Sequence, residues 1–154
     1  VGRSQVWKLS AVGLLLVAMS GCSATAPAGE GGIEMAVSQT CDAGSAPECV
    51  SVNGEYVTLI ESDFARAGVE TAKAVEDGGT SAIEVRFDDD GAVVFQESTA
   101  EAAAAAGTAR LVIRAGGEVL SAVTVVEPMQ GDTAVIALPP GADAEELAAV
   151  IRGS

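Results

Sequence analysis

An α+β fold, with a mainly antiparallel sheet and helices packed on one face, is the class this sequence predicts. Two observations carry the expectation. From Glu55 onward, short runs of strand character alternate with segments of helical character, and each boundary holds a stop signal. The order reads strand, helix, strand, helix, then three strands, two of them joined as a hairpin, then a closing helix.

Tyr56 to Ile60 is the first expected strand, and Ser62 is placed to cap a helix running through Gly68, with Phe64 and Ala67 inward. Ser81 to Asp88 is the clearest strand: Ile83, Val85 and Phe87 point one way, Glu84 and Arg86 the other. Asp88-Asp89-Asp90-Gly91 then opens a helix whose Phe95, Thr99, Ala102 and Ala106 share one face, and Gly107 ends it. Arg110 to Ala115 and Glu118 to Val126 flank Gly116-Gly117, a pair suited to a tight two-residue turn. Thr133 to Leu138 makes another strand. After Pro139-Pro140-Gly141, Asp143 caps a last helix, Glu146 completes a capping box, and Ala144, Leu147, Ala148 and Ile151 form the buried stripe.

Ahead of this region the chain reads as targeting and tether. Arg3 and Lys8 precede a run from Leu9 to Met19 that is apolar or small, shorter than the ~20 residues a spanning helix needs. The run therefore reads as a secretory signal. Its end, Met19-Ser20-Gly21-Cys22, is similar to the lipobox of bacterial lipoproteins, in which the cysteine is lipidated and becomes the first mature residue. A plain signal peptide cut nearby, with Cys22 an ordinary thiol, is the blander alternative. Acyl chains on Cys22 would supply the multiple hydrophobic anchors that stable membrane attachment requires. The expected division is a lipoprotein signal over 1–21, a lipidated flexible tether over 22–40, a disulfide-closed segment over 41–54 and an α+β domain over 55–154.

With Cys22 lipidated, Cys41 and Cys49 remain as an even pair in an oxidising compartment, and they are expected to bond to each other. Gly44 and Pro47 let the short loop turn back, and closing it stabilises by about 2 to 3 kcal/mol through lost unfolded-chain entropy. A redox role would favour a C-x-x-C spacing beside a helix start, which this pair lacks.

The formal net charge of −14 repels nucleic acid and anionic lipid headgroups. Removing the leader takes away two basic residues and no acidic one, so the mature chain is more acidic still. The sequence has no histidine, no G-x-S-x-G elbow and no glycine-rich phosphate loop. Asp88-Asp89-Asp90 lacks the alternating ligands and distal glutamate of a calcium loop, and capping with the helix dipole explains it better. Neither cofactor nor metal is implied.

The punctuating residues from about Tyr56 to Gly153 resemble the head subdomain of the first periplasmic domain of SecD, also found fused as SecDF. Glu61-Ser62-Asp63-Phe64-Ala65-Arg66-Ala67 loosely follows that family's threonine-x-x-aspartate-hydrophobic-x-x-alanine segment, and Gly91, Phe95 and Thr99 match its glycine-led helix. Val119-Leu120-Ser121-Ala122-Val123 is similar to its hairpin strand, with Val123 where the family usually has proline. Glu127-Pro128-Met129, Gly131, Glu145-Glu146-Leu147-Ala148 and Arg152-Gly153 continue in order. The resemblance implies a ferredoxin-like α+β sandwich and contact with an emerging, unfolded polypeptide. SecD's proton-driven motor needs ionisable groups within membrane helices, and no apolar span follows the leader here, so that activity is not implied.

The sequence thus points first to a lipid-anchored, non-enzymatic binding module on the extracytoplasmic face of the cell membrane. Gly116, Gly117 and Ser121 are its candidate partner surface. An accessory of the Sec translocon, beside a full SecDF, is the second reading. An enzyme of envelope polymers is the third and lacks any nucleophile and base constellation.

Overall fold

The computed structural model describes residues 31–153. Within them the chain runs through strand β1 (Ile33–Gln39), then β2 (Cys49–Val52), β3 (Glu55–Thr58), a short 3-10 turn (Glu61–Asp63), β4 (Ala65–Ala67), β5 (Val69–Asp77) and β6 (Thr80–Phe87). Helix α1 (Asp89–Ala104), β7 (Ala109–Ala115), β8 (Glu118–Val123), β9 (Thr133–Ala137) and α2 (Ala144–Arg152) complete it.

The strands form a four-stranded sheet in the order β4-β1-β7-β8, a three-stranded sheet β5-β6-β9 and the hairpin β2-β3. Every strand pairing among the described residues is antiparallel. The class is α+β, as the sequence predicts, with the strands divided among separate sheets.

Three two-residue turns, Asn53-Gly54, Gly78-Gly79 and Gly116-Gly117, close the hairpins β2-β3, β5-β6 and β7-β8. Both central residues of each have positive φ, the condition of the turn whose twist matches that of paired strands.

Three expectations are corrected. The tether over 22–40 is not a tether throughout: residues 33–39 are β1, paired with β4 on one side and β7 on the other. The domain therefore takes in residues from 33 on, well before the expected boundary at 55. Ile33 and Met35 join the main core, and Ala36 and Ser38 are also buried. Alternating large and small residues suit a strand sandwiched between two layers, although the glycine- and alanine-rich neighbourhood reads as a loop.

The helix expected from Ser62 to Gly68 is the 3-10 turn followed by β4. Seven residues are too few to carry the cost of helix nucleation without strong packing. Pairing of Ala65, Arg66 and Ala67 with β1 satisfies the backbone instead. The Ser62 hydroxyl donates to Asp63 Oδ1 and caps nothing.

Helix α1 starts where the sequence places it. Asp88 accepts the Gly91 amide at 2.7 Å, a side-chain cap for an otherwise unpaired donor. Phe95, Thr99 and Ala102 are buried, but Ala106 lies beyond the helix with φ of 49° and is exposed. The face expected from Ala106 therefore ends one turn early.

Gly91 also packs against the Gly68 link between β4 and β5, the point where the chain leaves one sheet for the other. The Asp88 amide donates to the Gly68 carbonyl there at 3.1 Å. A Cβ at Gly91 would strike that carbonyl oxygen.

The main core lies between both larger sheets and both helices, with Ile33, Ile83, Phe87, Phe95, Leu120 and Ile151 among its members. A second cluster, Val52, Val57, Val112 and Ala122, covers the other face of the four-stranded sheet beneath the β2-β3 hairpin. Helix α2 packs on β5, β6 and β7. Asp143 accepts the amides of Glu145 and Glu146 at its start, and Gly153, with φ of 76°, ends it.

Candidate functional site

A deep concavity lies between β8 and β9, edge strands of the two larger sheets. It measures about 790 Å³, within the range that organic ligands and peptide side chains occupy. Phe95, Leu111, Ile113, Ile136 and Leu138 line it from the core. Val123, Val126, Met129 and Val135 at its mouth are 41, 84, 45 and 52% exposed. Glu127 is its one charged lining residue.

The two walls are built differently. In β8, Ile113 of β7 faces Ser121 while Arg114 faces Val119, so Leu120 has no cross-strand partner. This bulge turns both Leu120 and Ser121 toward the main-core side, Leu120 into the core and Ser121 into the groove wall. The freed Leu120 carbonyl accepts Asn53 Nδ2 at 3.1 Å. Ser121 is 6% exposed, and its hydroxyl finds no partner. Such a group costs stability where it stands.

The 124–132 loop joining β8 to β9 is held against α1. The buried Thr99 hydroxyl donates to the Gln96 carbonyl at 3.0 Å and accepts the Met129 amide at 3.1 Å. Gln96 Nε2 reaches the Gly131 carbonyl at 3.1 Å. At the start of β9, Arg86 Nε donates to Asp132 Oδ2 at 3.1 Å. That bond, the Thr133 hydroxyl and the Arg86 charge hold the Asp132 carboxyl below its ordinary value against the opposing effect of desolvation.

Away from the groove, Arg114 donates to Glu34 at 2.9 Å and to Glu61 at 2.8 Å, with its guanidinium 4.0 Å from the Phe64 ring centre. Burial pulls this guanidinium down, but the bonds to Glu61 and Glu34 and their charges leave it above the usual arginine value. The cluster pins the 3-10 turn to the sheet and points to no ligand.

The structure does not bring the three candidate surface residues together. Ser121 lines the groove, whereas Gly116 belongs to a smaller cleft of about 200 Å³ against α2, where a Cβ would lie 2.7 Å from Val150 Cγ1. Cys41 and Cys49 are joined by a disulfide. It closes the loop between β1 and the β2-β3 hairpin. Cys22 and the leader lie outside the described residues. Among those residues, no group of three His, Cys, Asp or Glu side chains is placed to hold a metal.

The sequence matches the SecDF P1 head subdomain family over residues 48–154. The chain belongs to that family. A solved structure described as "Structure and function of a membrane component SecDF that enhances protein export" is similar in fold, with a TM-score of 0.53 at 20% identity. The alignment covers 81% of this chain and 64% of that one, so the chain spans just under two thirds of its length. No curated protein matches the sequence. Strand β1 and Cys41 precede the matched stretch, yet β1 is central to the four-stranded sheet of this head-type domain.

Proposed function

We propose that this chain is a lipid-anchored, non-enzymatic module on the extracytoplasmic face of the membrane, holding apolar stretches of unfolded polypeptide in the groove between β8 and β9. The observation that carries the reading is the groove itself, an apolar trough between two sheet edges whose mouth exposes Val123, Val126, Met129 and Val135. An unfolded chain offers the matching apolar side chains and unpaired backbone, and burying them drives association without a fixed sequence. Membership of the SecDF head family and the likeness to a component that enhances protein export make an emerging polypeptide a fitting partner. Work beside a full SecDF at the Sec translocon is the second reading, favoured by the same family match.

Anchoring would come from lipid on Cys22, at the end of the lipobox-like Met19-Ser20-Gly21. No helix among the described residues is long and apolar enough to cross a membrane.

The test uses a permanently unfolded polypeptide, reduced and capped with neutral carbamidomethyl groups. Fluorescence anisotropy should show it binding the wild-type chain, with its folded parent left unbound. Val126→Asp and Val135→Asp change exposed residues, so the fold tolerates them, and each should weaken binding at least fivefold. Equal affinity in wild type and both variants would refute the groove as the site. Crosslinking in cells then separates the readings: translocon subunits captured at the groove favour the second.

A further inference from the structure

The two larger sheets have four edges, and the sequence treats them unequally. Strand β4 has three residues, one of them Arg66. Strand β5 carries Glu70, Lys73, Glu76 and Asp77, and Arg152 Nη1 donates to its Ala72 carbonyl at 2.6 Å. Strand β8 begins at Glu118 and is bulged at Leu120. Short length, charge and bulges are the devices by which proteins prevent an edge from pairing with another chain. Strand β9, Thr133-Ala134-Val135-Ile136-Ala137, has neither a charged residue nor a bulge.

The ladder shows which of its groups face out. The Leu138 amide donates to the Ser81 carbonyl at 3.0 Å, and the Phe87 amide donates to the Asp132 carbonyl at 2.7 Å. Bonded pairs alternate along an antiparallel ladder, so Ala134 and Ile136 also bond to β6. Thr133, Val135 and Ala137 therefore direct their backbone donors and acceptors to the open edge, and their side chains are exposed. Ala134 through Pro140 line the groove.

We propose that the free edge of β9 is a strand-addition site. An extended polypeptide segment, apolar at alternate positions and neutral or basic, pairs with Thr133, Val135 and Ala137 while its inward side chains enter the groove. This deepens the groove reading and rests on it. Five residues of edge span about 17 Å, and Pro139-Pro140 beyond them limits the register at one end. Across the groove, the buried and unpartnered Ser121 hydroxyl offers the incoming segment a hydrogen bond. The net charge of −14 disfavours acidic segments and selects basic flanks. Main-chain bonds supply affinity and alternate side chains supply selectivity, as in other strand-addition sites.

The experiment uses the full chain and a seven-residue peptide that alternates valine and threonine between terminal lysines. Two twins carry N-methyl groups on one or the other alternate set of amides. The parent should bind, and one twin should lose at least tenfold while the other stays within about threefold, because only one set faces β9. Val135→Pro, which removes an outward donor that β6 does not use, should weaken the parent peptide about tenfold with the thermal transition retained. Ser121→Ala should weaken it severalfold without lowering the transition temperature. Both twins binding like the parent would overturn strand addition and leave the groove reading standing. Failure of the parent to bind, with the unfolded polypeptide still bound, has the same consequence. Failure of both removes the groove reading too. A dimer of this chain that dissociates in Val135→Pro and resists competition by the peptide would assign the edge to a second copy and overturn the proposal.

Discussion

Replacing Phe95 with alanine tests the packing on which both the fold and the groove depend. The ring is 3% exposed and stacks on Phe87 with centroids 4.9 Å apart. Returning a fully buried phenylalanine side chain to water costs about 1.5 to 3 kcal/mol. The aromatic pair adds about 0.5 to 1.5 kcal/mol, and the unfilled space adds more. Alanine's better helix propensity returns only about 0.5 kcal/mol. The expected loss is therefore about 3 to 5 kcal/mol, a large share of the roughly 5 to 15 kcal/mol typical of a domain. Glu97, two positions on and exposed, is the control. Glu97→Ala should change stability by no more than about 0.5 kcal/mol. Urea melts of both variants, fitted with a common slope, compare them directly. A Phe95→Ala cost below about 1 kcal/mol would refute the packing of α1 against β6, because that is the size of an ordinary surface effect.

Three further outcomes follow from particular contacts. Gly91→Ala should destabilise by about 1 to 3 kcal/mol although alanine favours helices, because its Cβ meets the immovable Gly68 carbonyl; thermal melts would show it. Replacing both Cys41 and Cys49 by serine should cost about 2 to 3 kcal/mol in denaturant melts, since the bridge closes a separation of 8 residues. The depressed Asp132 carboxyl stabilises the fold above the ordinary carboxylate range and loses that effect as pH falls through its lower folded value. The transition temperature of wild type should therefore exceed that of Asp132→Asn at pH 7, with the gap closing as the pH falls below about 4.

Much of the second half was legible because its signals are local. Asp88 and Asp143 announce their helices, Gly116-Gly117 announces its hairpin, and Ile83, Val85 and Phe87 alternate cleanly with charged neighbours. The first half hid behind small residues. Asn53-Gly54 and Gly78-Gly79 carry the same turn chemistry as Gly116-Gly117, with φ of 50 and 90° and of 59 and 83°. Reading them as hairpins would have exposed β2 and β5. Strand β1 was harder, because its pairing partner β7 is distant in sequence and its alanine and serine residues gain burial only from layers on both faces. The groove was illegible for a related reason. Val126, Met129 and Val135 look like ordinary strand or loop residues until two separate sheets bring their edges face to face. Ser121 was singled out from its motif, but its lack of a hydrogen-bond partner is a property of the packed bulge.

Hydrogen exchange of the full chain, with and without the reduced, carbamidomethyl-capped unfolded polypeptide, tests the central claim most directly. Binding in the groove should slow exchange from Ser121 through Leu138, most of all at Val135 and Ala137, and leave the Gly116-Gly117 turn and α2 unchanged. Protection at that turn and α2, with β9 exchanging as in the free protein, would contradict the account.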